Sequence, residues 1–556
     1  MEKQSYIEKK IYGLFCENSD LECRQVLVGG KTAYLFFISC LVDKELVVNG
    51  VINALLERQE NVKKNILNSI QKSVISMAKV EQIETDQEIT KAILGGALIL
   101  AVEGEYKYLS LQANGESKRS ITEPPNESAL RGPREGFIEN IEINLGLLRR
   151  RLKTTTLAIK RREIGRRTHT KIAIVYLCDV ADPKIIRQIE SRLDNFDIDG
   201  IMDSYYIEEI LSPKGDKFFK KIGSSEKPDV VTAKILEGKI AIFVDGSPTI
   251  LTVPYVYFED MQSPGDYYDI PLRTTLVRFL RLVGMIFSLM LPGLYVALES
   301  YQYRALPINF LINLLNAVEG ISFPPMLEVL FVIFLFEILA EASVRMPKPL
   351  GTALSIIGAV ILGDTAVKAG IISSPSIVVV AISGITLYII PNQSSQASLL
   401  RTLFTIVGGI AGFYGLFVGF FMVFSYLTSM ENYGAPYFAP FAPYIATDQK
   451  DGFVKKPIKY MIYRPKSYKT MNSVRQQPFD RKYKTKVQNK SLTARKMVAN
   501  SKKSGCKVQE KWLQNPRKVV ASEDINNLIF DKKVGTDKKK NTKIMQEGKK
   551  NETTTN

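Results

Sequence analysis

One histidine, His169, stands in 556 residues. That excludes a multi-histidine metal centre and leaves histidine-based acid–base catalysis a single position, inside the basic run RRTHT. Cysteine is sparse. Cys16, Cys23, Cys40, Cys178 and Cys506 are odd in number, scattered and free of any CxxC pair, which argues against a disulfide framework and a zinc site. Phosphate-binding signatures are missing as well: there is no GxxxxGK(S/T) and no strand-linked GxGxxG. Without a nucleophile–base constellation the chain reads as non-enzymatic, with no cofactor. The N-terminal MEKQSYIEKK lacks an apolar core, so it does not read as a signal peptide, and the N-terminal region is expected in the cytoplasm.

What is present is unevenly distributed. The chain is 46% hydrophobic with a net charge of +17. Residues 451–556 hold 28 Lys+Arg against 9 Asp+Glu, a net of +19, so the other 450 residues carry −2. The basic character belongs to the tail, 446–556, which lacks apolar periodicity and is expected to be disordered and cytoplasmic. A Lys-rich segment directly after a multi-span region points to anionic lipid headgroups as its partner, with no nucleic acid expected. The apolar character lies between about 275 and 430.

Before that region the chain reads as two α/β subdomains, 1–112 and 137–262, joined by a polar linker, 113–136. In the first, Val26–Gly29 and Ala33–Val42 read as strands, Lys44–Leu56 and Asn61–Met77 as helices, and Ala92–Val102 and Tyr106–Leu111 as strands again. In the second, a helix Phe137–Leu152 precedes strands Thr156–Lys160 and Lys171–Leu177. A helix from Pro183, N-capped by Asp182, follows, and then Ala233–Glu237 and a strand Lys239–Val244. Alternating strands and helices imply an α/β layer fold. Asp179, Asp182, Asp245 and Asp260 fall near strand ends, where solvated loop positions are the simpler account and a metal site the sharper one.

Residues 263–445 read as an α-helical multi-pass membrane domain, with spans near 279–298, 325–340, 350–370, 375–390 and 400–428. Arg273, Arg278 and Arg281 at the first span mark a cytoplasmic end. Pro307–Val318 is too short to cross a bilayer. Asp364 and Lys368, four residues apart, suit a self-satisfied pair near an interface. The last span is long enough to need tilt, and Gly408, Gly412, Gly415 and Gly419 permit close helix packing within it. A cytoplasmic start and a cytoplasmic tail require an even number of crossings, and five stretches are found.

The segment Ile321–Met346 carries the most chemistry. Pro324 and Pro325 start a helix, where the N–H that proline lacks would have no partner. Glu337, Glu341 and Arg345 share one face of it and Glu328 lies roughly opposite. Each such group costs about 2.5–3.5 kcal/mol or more at a bilayer centre. The carboxylates therefore mark an ion path or a polar seam between subunits. For Glu341 and Arg345 an i,i+4 pair near the headgroups is the plainer account.

Several stretches together resemble one family. They are GPREGF (Gly132–Phe137), FDIDGIMDS around Asp199–Gly200, KPDVVTAKILEGKIAIFVDGSP (Lys227–Pro248), SPGDYY (Ser263–Tyr268), SFPPMLE (Ser322–Glu328), RMPKPLG (Arg345–Gly351) and APYFAPFAP. In this order the chain resembles the A subunit of GerA-type spore germinant receptors over about residues 20–445. The resemblance implies a multi-pass protein of the spore inner membrane with two partners, a permease-like B subunit plus a lipoprotein C subunit. It also implies a homo-oligomer forming a nutrient-gated cation channel. Two alternatives stand beside it: a membrane scaffold for these two partners, and a paralogue acting with the dipicolinate-release channel.

Overall fold

The computed structural model describes residues 6–17, 19–57, 66–77, 79–115, 124, 127, 131–213, 218–345, 347, 358 and 361–477. Most of the expected span at 350–370, much of the linker and the tail beyond 477 lie outside the described residues.

Gly29 and Gly30, both at positive φ, turn the chain between β1 (Leu21–Val28) and β2 (Lys31–Ile38), the two-residue hairpin that only such residues allow without strain. With β3 (Val80–Ile83), β4 (Ala97–Val102) and β5 (Tyr108–Gln112) these strands form a sheet of order β1-β2-β4-β5-β3. β4 is buried at every position because helices cover both faces. The segments 44–57 and 66–74 pack on one side, and Tyr6–Tyr12 and Asp86–Leu94 on the other. The strand expected from Ala92 in fact starts at Ala97. Thr85 and Glu88 form a reciprocal cap, each side chain accepting from the other's backbone N–H, and so commit 86–94 to helix.

The second subdomain repeats this plan. β6 (Leu157–Ile164), β7 (Thr170–Leu177), β8 (Gly223–Ser225), β9 (Ile240–Val244) and β10 (Ile250–Val253) run in order β6-β7-β9-β10-β8. Helices Ile141–Arg151 and Pro228–Leu236 cover one face, Pro183–Asp194 and Ser204–Leu211 the other. The α/β alternation therefore builds layers, but every ladder in both sheets is antiparallel. Ala233–Glu237, the segment leading into β9, is the end of a helix opened by Pro228 at its first turn.

Among the contacts that join the subdomains, two stand out. Arg149 grips Asp20 with two hydrogen bonds of 3.0 Å, both groups fully buried. Cys16 is bonded to Cys178 across 162 residues. The sequence argued against a disulfide framework, and the fold nonetheless pairs these two of the scattered cysteines. The fold brings the start of the chain against the end of β7, where Cys16 N–H also donates to Thr155 O.

The helical half contains α1 (Pro271–Ser300), α2 (Ile308–Val318), α3 (Pro325–Arg345), α4 (Ser374–Leu387) and α5 (Ser394–Ser429). Among the described residues, α1 and α5 are long and apolar enough to cross a membrane. α5, however, is not a rod. Gly412 breaks it at φ 59°, ψ −152°. In a straight helix Phe404 and Gly419 would be about 22 Å apart along the axis; here a methyl placed on Gly419 would lie 3.3 Å from the Phe404 ring. One placed on Gly415 would lie 3.2 Å from Val407. The chain reverses at Gly412 into two antiparallel arms, 394–411 and 413–429. The expected single tilted span at 400–428 is thus a helical hairpin.

The contacts also give the direction of each helix. Met285 and Leu289 of α1 adjoin Ala397 and Leu400, Gly293 adjoins Phe404 and Gly408, and Tyr301 donates to Gly409 O and Ile410 O. α1 and the first arm therefore run together, away from the α/β half. α3 returns, with Met326 beside Gly409 and Glu337 beside Arg401. Gly358 lies by Leu339, toward the inner end of α3, and Gly370 by Gly320, before its outer end. α4 then comes back, Ser376 meeting Tyr295 and Ser383 meeting Ser288. With the second arm of α5, both ends of the helical half face the α/β half.

Residues 430–477 close the structure. Tyr437, Phe438 and Phe441 stack with Tyr257, Phe258 and Phe453. The expected disorder from 446 onward is corrected for 446–477. Tyr468 is buried over Lys239, Arg464 donates to Leu236 O, and Tyr463 bridges Val474. Aromatic burial and backbone pairing anchor these Lys-rich residues where overall composition pointed to solvent.

Candidate functional site

Pro324 O accepts from Glu328 N–H, and α3 begins at Pro325. The four charged residues of α3 then meet different surroundings. Glu341 and Arg345 pair with each other at 2.5 Å, with side chains 66% and 78% exposed. Lys368 and Asp364 do the same at 2.8 Å. Glu337 is different. Its Oε1 accepts from Arg401 Nη2 at 2.6 Å and from Ser398 Oγ. The Arg401 side chain is 2% exposed and that of Glu337 43%. A guanidinium that cannot shed its charge is buried behind a carboxylate whose other edge faces outward.

Glu328, on the opposite side of α3, is completely buried. Its Oε1 accepts from Ser373 N–H at 2.7 Å, at the N-cap of α4, where the helix dipole favours a negative charge. Glu337 and Glu328 therefore belong to separate environments, one at each side of α3. The glycines of α5 divide similarly. Gly408 sits against Gly293, Gly415 and Gly419 let the two arms approach, and Gly412 makes the turn. Gln302 Oε1 accepts from Phe413 N–H at that turn, satisfying a backbone group the break has freed.

A second constellation holds the two halves together. Asp266, from SPGDYY, accepts from Arg278 Nε at 3.1 Å and from Arg281 at 2.7 and 2.9 Å. Asp451 completes it, accepting from Arg278 Nη1 at 3.0 Å and from Tyr267 at 2.8 Å. Lys455 Nζ donates to Asp266 O; burial and the Arg278 charge push its pKa down. Close by, Tyr268 packs on Gly132 and donates to Asp229 at 2.8 Å. The stretches GPREGF, KPDVVT and SPGDYY, far apart in sequence, thus meet at one junction. Behind it Lys239 is paired with Glu259, and burial pushes its pKa down to about 8. Burial pushes Glu237, which faces Arg475, up to about 7.

The four aspartates near strand ends have separate structural tasks. Asp182 caps a helix, Asp245 accepts from Ile141 N–H, Asp260 accepts from Tyr255, and Asp179 lies near Arg464. Among the described residues no three His, Cys, Asp or Glu side chains gather as a metal site. His169 is exposed in a turn at positive φ. Sequence reasoning missed Arg401, Glu299 and Asp266. The signal for Arg401 was present: it is the one charge inside the apolar run of α5.

Known proteins place this architecture in context. The family model described as Bacillus/Clostridium GerA spore germination protein matches residues 9–467. "Spore germination protein KA" of Bacillus subtilis (strain 168) is 33% identical over 465 residues, 83% of this chain and 85% of that one. "Uncharacterized membrane protein YfkQ" of the same organism is 33% identical over 82% of this chain and 89% of its own. "Spore germination protein GerLA" of Bacillus cereus is 30% identical over 82% and 93%. Among solved structures, the N-terminal domain of the A subunit of the Bacillus megaterium spore germinant receptor GerK3 aligns with 46% of this chain and 96% of that one, at 28% identity and a TM-score of 0.36.

Proposed function

The chain belongs to the GerA family of spore germination proteins, and from that premise we propose that it is the A subunit of a nutrient germinant receptor in the spore inner membrane. Its α/β half lies in the cytoplasm. Its helical half crosses the bilayer at α1, α3, α4 and the two arms of α5, and the span expected from the sequence near 350–370, most of it outside the described residues, would bring the count to six. An even count suits a chain whose helical half starts and ends at the α/β half. The arms, 18 and 17 residues long, reach about 26 Å each, close to a hydrocarbon core of about 30 Å. A permease-like B subunit, together with a lipoprotein C subunit, completes the receptor.

We further propose that several copies assemble around a cation path. The observation that supports this is Glu337, a carboxylate part-exposed on the outer surface of the bundle and held by a buried arginine. Repeated around a symmetry axis, such carboxylates form a ring that attracts cations and repels anions. In spores carrying Glu337→Gln, nutrient-triggered cation release should fall several-fold at an unchanged level of assembled receptor. Release equal to that of the parent chain would overturn the role of Glu337.

The scaffold alternative draws on the same pair, because Arg401 already neutralises Glu337 within one protomer. Conductance of the purified oligomer in liposomes separates the two readings. A scaffold assembles but does not conduct.

A further inference from the structure

Near the end of the helical half remote from the α/β half, a fully buried and a half-buried carboxylate each keep one buried oxygen without a partner. Glu328 is fully buried. One of its oxygens is satisfied by Ser373 N–H, and the other, Oε2, is buried without a partner. Glu299 is the penultimate residue of α1, and its Oε2 is likewise buried and unpartnered. The Glu328 charge acts on Glu299, and the Tyr295 hydroxyl lies beside the Glu299 carboxylate. Tyr295 also meets Ser376 Oγ at 3.4 Å, and Ser376 Oγ is 3.0 Å from Ser373 Oγ. Through these contacts α1, α3 and the start of α4 bring together a set of side chains whose polar atoms are all oxygen. Among the described residues no lysine or arginine forms an ion pair with either carboxylate.

Burying one ion costs several kcal/mol after relaxation, and mutual repulsion adds to that for two like charges. The α4 N-terminus offsets part of the charge on Glu328 through a single oxygen. The remaining oxygens are hard donors, with no sulfur or imidazole among them, which selects hard cations over transition metals. Two carboxylates match a double positive charge. We propose that Glu299 and Glu328, with Tyr295 and Ser373, form a binding site for one hard divalent cation that ties together the outer ends of α1, α3 and α4. Ca²⁺ suits an irregular oxygen set better than Mg²⁺, which demands near-octahedral geometry. The site lies within a single protomer and does not depend on whether the helical half conducts ions.

The test uses the full-length chain purified in nanodiscs, with Ca²⁺ and Mg²⁺ as probes in a K⁺ buffer. Equilibrium dialysis with radioactive Ca²⁺ should find one tightly held ion per chain. Glu299→Gln and Glu328→Gln should each weaken that binding at least ten-fold. Ca²⁺ should raise the melting temperature of the parent chain and leave that of Glu299→Gln unmoved, as linkage requires of a ligand bound only by the folded state. Glu299, the less buried of the two, keeps the test open should Glu328→Gln fail to fold. Equal Ca²⁺ binding by parent and Glu299→Gln would overturn the site. So would a parent chain that binds neither metal while Glu299→Gln melts higher, because the carboxylates would then be sharing a proton.

Discussion

If α5 reverses at Gly412, cysteines placed on its two arms will cross-link. Val407 and Gly415 are eight residues apart, so a continuous helix would separate them by about 12 Å along its axis. In the hairpin a β-carbon on Gly415 lies 3.2 Å from the Val407 side chain, and a disulfide needs β-carbons about 3.5–4.5 Å apart. Phe404 and Gly419 form a second pair, about 22 Å apart in a straight helix and in contact here. V407C/G415C, oxidised in membrane vesicles and mapped by mass spectrometry, should yield the intramolecular bridge, and in F404C/G419C, where Gly419 meets the far edge of the Phe404 ring, a short bifunctional thiol reagent should bridge the two arms. Gly412→Ala adds an energetic arm to the test. A φ of 59° with ψ of −152° is a region essentially reserved for glycine, so alanine there should cost about 1–3 kcal/mol. The new methyl would also meet Gln302 and Tyr301 at 3.1 Å. Absence of both bridges in protein that still melts cooperatively would refute the reversal, and with it the even count of crossings proposed above.

Asp266→Asn should loosen the junction between the two halves, because Arg278 is buried and would lose a carboxylate partner. Breaking a buried pair costs about 3–5 kcal/mol, read as a lower melting temperature and faster proteolysis after Gln262; an unchanged melt would show the clasp to be idle. Glu237 makes stability pH-dependent. Its folded pKa of about 7 exceeds the ordinary 4.5, so the folded chain holds the extra proton between those values. The contribution is complete below pH 4.5 and is lost as pH rises through 7, by at most about 3 kcal/mol. Glu237→Gln should flatten the fall in melting temperature between pH 5 and 7, and an equal fall in both chains would assign it elsewhere.

The two-subdomain plan was legible because burial on alternating periods is a local signal. β4, β7 and β9 stand out as apolar runs, and Asp182–Pro183 marks a helix start. The bounds of 86–94 were missed although a capping box was written there, because the apolar residues of ETDQEITKAIL also suit a strand. At Pro324–Pro325 the helix start was readable from proline chemistry alone. For the carboxylates of α3, spacing put Glu328 opposite Glu337, and the two meet different partners. It could not say what stood behind either one, since Arg401 lies 64 residues beyond Glu337 and Ser373 lies 45 beyond Glu328.

By itself the sequence determined the layered α/β half, the apolar half, the charge split and the family, each of which depends on residue type at short range or on ordered motifs. Only tertiary structure decided that Cys16 finds Cys178, that residues 446–477 pack back on the α/β half, and that Gly412 is a turn while Gly408 is a contact. Composition treats those two glycines alike. What separates them is which backbone comes near: Gly293 fits against one, and at the other the chain folds back on itself.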